Sequence, residues 1–272
     1  MDSAFGAVLG LSAEQPVRGG CIHRCYRATQ GARPVFIKLN DARFAAAFAA
    51  EADGLCALRA AGCRAPEPIA HGIAADHAYL LLEWLELRPS GDFAAMGAML
   101  SGMHRAQGAG YGWHGDNHIG STPQANGACA SWAEFWRQRR LEPQLALASR
   151  NGHRLDAPPV WRLLEGHEPE ASLLHGDLWR GNAGFLADGA PVLFDPVVYY
   201  GDREADLAMT ELFGGFPAEF YEAYNEAWPL ASSYQQRKHL YNLYHLLNHL
   251  NLFGGGYLAQ VRATLRLLAR AL

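Results

Sequence analysis

LLHGDLWRGN, residues 173–182, is the stretch whose reading decides the fold. It packs His175, Asp177 and Asn182 into eight residues directly after an apolar pair. A surface turn between two strands has no use for a bulky Trp179 and a cationic Arg180 between two glycines. A catalytic loop does. The spacing H-G-D-x-x-x-x-N joins Asp177 to Asn182, and Asp195 follows eighteen residues after Asp177 in the apolar run VLFDP. Phosphoryl transfer from ATP needs such parts: one carboxylate to orient or accept the proton of an attacking hydroxyl, and a second carboxylate with an amide oxygen to hold Mg2+ against the phosphates. Asn182 suits the last role because its amide adds no negative charge beside a triphosphate.

Upstream, Lys38 sits in the apolar run VFIKL. A lysine there is either a solvated edge residue or a cation aimed at something. Glu51, in the Ala-rich segment that follows, is a candidate partner that would hold it toward the α and β phosphates. Gly19 and Gly20 in VRGGCIHRCYRAT can let backbone amides approach phosphate oxygens.

The flanking chain gives this constellation two settings. RCYRAT and PVFIKLN around TQGAR read as a hairpin, Asp41 to Ala61 as a helix with Phe44, Phe48, Leu55 and Leu58 on its apolar positions, and Gly62 as its stop. HAYLLLEWLEL is a buried strand, so the first 82 residues read as a small sheet with one helix. From Asp92 the texture turns helical. DFAAMGAMLSGMHRA and SWAEFWRQRRLEPQLALA are helices, the second N-capped by Ser131 with Glu134 completing a capping box. SLLHGDLWRGNAGFLADGAPVLFDP reads as strand, loop, strand, turn, strand, and the chain from Asp202 onward as mostly helix. The expected fold is α+β: a β-rich lobe over 1–82, a hinge over 83–88, and a larger, mainly helical lobe over 89–272.

Composition removes other classes. Half of the 272 residues are hydrophobic, so a sizeable core is expected rather than disorder. A net charge of -4 with a pI near 6.3 argues against nucleic acid as partner. No apolar run is long enough for a bilayer, and the acidic start MDSAFGAVLGLSAEQP lacks a basic n-region. Cys21, Cys25, Cys56, Cys63 and Cys129 form neither a CxxC pair nor a zinc spacing, which fits a reducing cytoplasm. His245 and His249 lie four apart on an expected helix, a geometry open to zinc or to plain core packing.

With these residues in view, the chain resembles the fructosamine kinase (ketosamine-3-kinase) family of the aminoglycoside phosphotransferase and protein-kinase-like superfamily. HGDLWRGN, the following FDP and GDREADLAMTELFGGFP carry the likeness, together with GGCI, VFIKLN, YLLLEWLEL, DNHIGSTPQAN, SWAEFWRQRRLEPQL and NHLNLFGGGY, almost the whole length. The resemblance implies a two-lobed protein-kinase-like fold and ATP-dependent phosphorylation of the sugar 3-hydroxyl of a ketosamine, free or attached to protein, as deglycation repair. It casts Asp177 as catalytic base, Asn182 and Asp195 as magnesium ligands, and Lys38 with Glu51 as the phosphate-binding ion pair. Backbone groups of Glu83, Trp84 and Leu85 would read adenine. Trp179, His249 and Asn251 would face the acceptor, with His175 and Asp206 supporting the loop. The Asn117 segment would cap a helix or line the acceptor cleft. Cys21 matches a loop cysteine of some members, through which oxidation could link two chains; a monomer or weak homodimer is expected.

Arg180 departs from the pattern, which has a small residue there, while protein kinases carry a lysine one position earlier, where this chain has Trp179. Its guanidinium would either neutralise the γ-phosphate or turn to solvent or a nearby carboxylate. Competing functions are phosphorylation of another hydroxyl acceptor such as an aminoglycoside or choline, a kinase-fold nucleotide-binding module without catalysis, and, more distantly, a metal-dependent hydrolase.

Overall fold

Alternation along one strand sets the geometry of the N-terminal lobe. In the computed structural model, which describes residues 3–17 and 22–272, helix α1 (Ser3–Leu9) leads into strands β1 (Leu11–Val17), β2 (Arg24–Gln30) and β3 (Arg33–Asp41). After helix α2 (Ala45–Ala60) come β4 (Pro68–Ala74) and β5 (His77–Glu83), completing an antiparallel sheet in the order β1-β2-β3-β5-β4. Val35, Ile37 and Leu39 of β3 are buried on one face with Phe5 of α1. With a side-chain period of two, Phe36 and Lys38 must then project from the other face, toward the cleft. The lysine is therefore aimed, not solvated, and is 4% exposed.

The sheet is larger than its sequence signals suggested. β1 (LSAEQPV) is a polar edge strand, bulged between Ser12 and Gln15 and carrying Pro16, so it lacks the alternating apolar pattern. α1 is only seven residues long, too short to show helical periodicity. α2 ends as expected: Gly62 takes φ +88° while Cys63 N–H donates to Leu58 O at 3.0 Å and Gly62 N–H to Arg59 O at 3.0 Å, a Schellman closure.

The C-terminal lobe packs α3 (Phe93–His104), α4 (Trp132–Phe135), α5 (Glu142–Arg150), α6 (Glu204–Leu212), α7 (Ala218–Ala227), α8 (Tyr234–Phe253) and α9 (Leu258–Ala269) around a core continuous with the inner face of the sheet. A π-helical segment, Trp136–Leu141, joins α4 to α5. Three two-stranded ribbons sit among the helices: β6 (Asn117–Ile119) with β7 (Thr122–Gln124), β8 (Ser172–Leu174) with β11 (Tyr199–Gly201), and β9 (Ala183–Phe185) with β10 (Pro191–Leu193). Ser131 caps α4 by accepting from Glu134 N–H at 3.2 Å, whereas the Glu134 carboxylate takes a hydrogen bond from Gln138 at 2.8 Å. α8 is the spine of the lobe, with twelve of its twenty residues buried. No helix among the described residues is long and apolar enough to cross a membrane.

Candidate active site

A cleft of about 680 Å³ lies between the lobes, and the loop after β8 forms its floor. Two features hold that loop. Gly176 takes φ +83°, and a Cβ there would stand 2.1 Å from Val197 O, so no side chain fits. Asp206, on the first turn of α6, accepts from His175 N–H at 2.7 Å and Gly176 N–H at 2.8 Å, and pairs with His104 Nε2 at 3.1 Å. Burial works to raise the Asp206 carboxyl, but His104, His175 and the Gly176 amide outweigh it and hold it below the usual carboxylate range. His175 shares this role from inside the loop. Its Nε2 lies 3.0 Å from Phe194 O and so donates, leaving Nδ1 to accept from Asp177 N–H at 3.3 Å. Burial keeps the ring neutral.

Asp177 and Asn182 then face each other as the short 3-10 turn Arg180–Asn182 brings them together. Asn182 Nδ2 donates to Asp177 O at 2.8 Å and to Asp177 Oδ2 at 3.1 Å, which leaves the Asn182 amide oxygen to act as a metal donor. Burial, then the charge of Asp195, pushes the Asp177 carboxyl up to about 7. Asp195 follows β10 in the left-handed region at φ +56°, an uncommon conformation that turns its carboxylate into the cleft. Lys38 Nζ bridges Asp195 Oδ1 and Glu51 Oε1, both at 2.7 Å. Burial would discharge the lysine, but Asp195 and Glu51 hold its pKa above the ordinary value. Burial also raises the Glu51 carboxyl while Lys38 pulls it down, and the 2.7 Å contact makes the charged pair the resident state. Asn182 and Asp195 together offer only oxygen donors, a set that suits Mg2+.

At the hinge, Glu83, Trp84 and Leu85 line the cleft. The Glu83 carboxylate is held bidentately by Arg64 at 2.6 and 2.9 Å, and its N–H donates to Glu67 O at 2.9 Å. That strut fixes where the chain leaves β5. Gly19, Gly20 and Cys21 lie outside the described residues.

The opposite end of the cleft is aromatic. The Trp179 ring lies over Gly181, where a Cβ would come within 2.3 Å of it, and meets Phe213 edge-on at 6.2 Å. Phe213 in turn contacts His249 at 4.7 Å, and Phe253 and Tyr257 stand 5.5 and 5.1 Å from the same imidazole. Trp179, His249, Leu252 and Phe253 line the same cleft as Asp177.

One sequence expectation is corrected at this end and another is narrowed. Asn251 does not reach the cleft: its amide donates to Gln144 O at 3.0 Å and Gln144 Oε1 at 2.7 Å, pinning α8 to α5. The helix face presented to the cleft runs through Asn248 and His249 to Leu252, which follows them by four and three residues, and Asn251 falls outside that stripe. Arg180 stands at the exposed surface, as its solvent-facing reading expected. Its Nε donates to Gly215 O at 3.0 Å and its guanidinium covers the Phe93 ring at 5.5 Å, tying the catalytic loop to the segment after α6.

The Asn117 segment lines the cleft as strand β6 rather than capping a helix, with the Asn117 amide spent on Val198 O at 2.9 Å and Gln124 Nε2 at 2.8 Å. Sequence reasoning missed Asn248 and Phe253 as cleft residues, Phe213 as the ring between Trp179 and His249, and His104 as the partner of Asp206. The i, i+3, i+4 spacing within NHLNLF could have found Asn248 and Phe253; nothing local marks the other two.

A lysine–glutamate pair under a five-stranded sheet, facing Asp177, Asn182 and Asp195 across an interlobe cleft, defines an ATP-dependent phosphotransferase of kinase-like fold. The chain belongs to the fructosamine kinase family, whose model matches residues 1–271. It is similar to a "Probable ketoamine kinase" of Synechocystis sp., at 48% identity over 96% of this chain and 92% of that one. It is also similar to the chloroplastic protein-ribulosamine 3-kinase of Oryza sativa subsp. indica, at 39% identity over 93% of this chain and 77% of the relative. Among solved structures, that of a "Putative fructosamine-3-kinase" from Haemophilus somnus 129PT superposes with a TM-score of 0.89 at 29% identity, covering 97% of this chain and 94% of that one.

Proposed function

We propose that the chain transfers the γ-phosphoryl group of ATP to the sugar 3-hydroxyl of a ketosamine, free or attached to protein, and so serves the repair of glycated amines. The observation that carries this reading is the placement of Asp177 in one cleft with the ring of Trp179 and the imidazole of His249. A flat ring such as Trp179 can cover the C–H face of one sugar, and His249 supplies a polar edge beside it. The names of the relatives favour a ketosamine over an aminoglycoside.

In this reading Asp177 takes the proton of the attacking hydroxyl as its oxygen bonds to phosphorus and the bond to the ADP oxygen breaks. Lys38, held by Glu51, binds the phosphates, and the backbone of Trp84 and Leu85 meets the adenine. Asn182 and Asp195 would hold Mg2+, which supplies charge neutralisation along the phosphates when bound. Asp206 and His175 keep the Asp177 backbone in place. The test is ATP consumption against fructosyl-lysine, ribosyl-derived ketosamines, aminoglycosides and choline, with the phosphorylated carbon located by NMR. Phosphorylation at the sugar C3 is expected; turnover confined to aminoglycosides or choline overturns the reading.

A further inference from the structure

One polar atom beside the base has no partner. His245, on the inner face of α8, is 4% exposed, and its Nδ1 is buried without a hydrogen bond. A buried, unpaired ring nitrogen is destabilising, so its placement calls for an account. The atom is aimed at Asp177, with Oδ1 standing 3.9 Å away. The other carboxylate oxygen, Oδ2, already accepts from Asn182. Asp177 is therefore gripped at one end by Asn182, and this imidazole is poised at its other end.

We propose that His245 is a positioning residue for phosphoryl transfer: in the reacting complex its Nδ1–H closes by about 1 Å onto Asp177 Oδ1 and, with Asn182 on Oδ2, fixes the plane of the carboxylate toward the attacking hydroxyl. The proposal rests on Asp177 as the base. A neutral donor is what the task needs, because a cation at this distance would lower the proton affinity of the group that must accept a proton. Burial, then His249, then Arg140 drive the His245 pKa down to about 3, with Asp206 opposing, so the ring is uncharged across the working range. Its backbone is held as well: His245 O receives His249 Nδ1 at 2.9 Å one turn on, and Tyr244 packs edge-on against the ring at 5.2 Å.

His245→Asn leaves a carboxamide at the Nδ1 position and His245→Leu removes it. With fructosyl-lysine and MgATP, His245→Leu is expected to lose about tenfold in kcat, the scale of one lost hydrogen bond to a charged group, with both KM values within twofold. His245→Asn should recover to within about threefold of the parent, a rescue that a purely packing role would not give. A parent-like kcat in His245→Leu, an equal loss in both variants, or an effect confined to KM overturns the proposal. Asp177→Asn, run beside them, separates the two ideas: if it keeps turnover the base assignment itself fails, whereas a dead Asp177→Asn with an unimpaired His245→Leu removes His245 alone. The parent protein offers a measurement free of folding effects. In 15N NMR of the complex with MgADP and fructosyl-lysine, the His245 ring should carry its proton on Nδ1; an Nε2–H tautomer there refutes the mechanism.

Discussion

Replacing Asp177 by Asn should abolish turnover and, in the ligand-free protein, raise stability. The two effects share one cause. Burial and Asp195 lift the Asp177 carboxyl from 3.8 to about 7, so the folded protein is penalised for carrying that charge. For an acid whose folded pKa is raised, both states are protonated below about pH 4 and no penalty exists. Between about pH 4 and 7 the unfolded chain ionises first, and stability falls as pH rises; above about 7 the full penalty remains. At about 1.4 kcal/mol per unit the ceiling is roughly 4 kcal/mol. The side chain keeps 21% exposure, and solvent screening reduces this to about 1–2 kcal/mol. Asn retains the shape and can still accept from Asn182, so the variant should gain that amount at pH 8 and less than half of it at pH 5. For a chain of 272 residues this corresponds to a Tm increase of about 2–4 °C at pH 8. Thermal unfolding at both pH values, without nucleotide or metal, measures it. Turnover with a ketosamine should fall by at least about 10²-fold. A variant less stable than the parent at pH 8, or a gain that does not grow with pH, refutes the electrostatic reasoning; retained turnover refutes the base.

Further expectations follow from the same geometry. Gly181→Ala should push the Trp179 ring off its seat, raising the ketosamine KM by about tenfold, the worth of one good apolar contact, while the ATP KM stays put; initial-rate kinetics in both substrates would show it. Arg180→Ala should leave kcat within twofold of the parent and cost about 1 kcal/mol of stability, because it loses one carbonyl hydrogen bond and its cover over Phe93; a large fall in kcat would return the arginine to the mechanism. Asp206→Ala strands two buried N–H groups and His104, so denaturant unfolding should show a loss of about 3–5 kcal/mol, and kcat should drop with the loop disordered.

The catalytic loop was legible because its chemistry is local: Asp177 and Asn182 lie five apart, and a 3-10 turn between them suffices to bring the amide to the carboxylate. Lys38 was legible in part. Alternation in VFIKL says it opposes Val35, Ile37 and Leu39, but which face meets the cleft depends on α1 covering the other, and α1 leaves no periodic trace. Arg180 and Asn251 show the opposite case. Their motifs are explicit, yet each side chain went to a backbone carbonyl, Gly215 O and Gln144 O, contributed by a segment remote in sequence.

By itself, then, the sequence determined the two-lobed α+β architecture and which residues to propose as reacting groups, since strand alternation, helix periodicity and motif spacing act over a few residues. Only the tertiary structure decided which groups converge: His104 beneath Asp206, Lys38 between Glu51 and Asp195, Asn248 in the cleft instead of Asn251, and His245 behind Asp177. Those pairings join residues from about ten to more than a hundred positions apart, and they are set by where buried donors and acceptors find partners once the helices pack, a choice that no local pattern encodes.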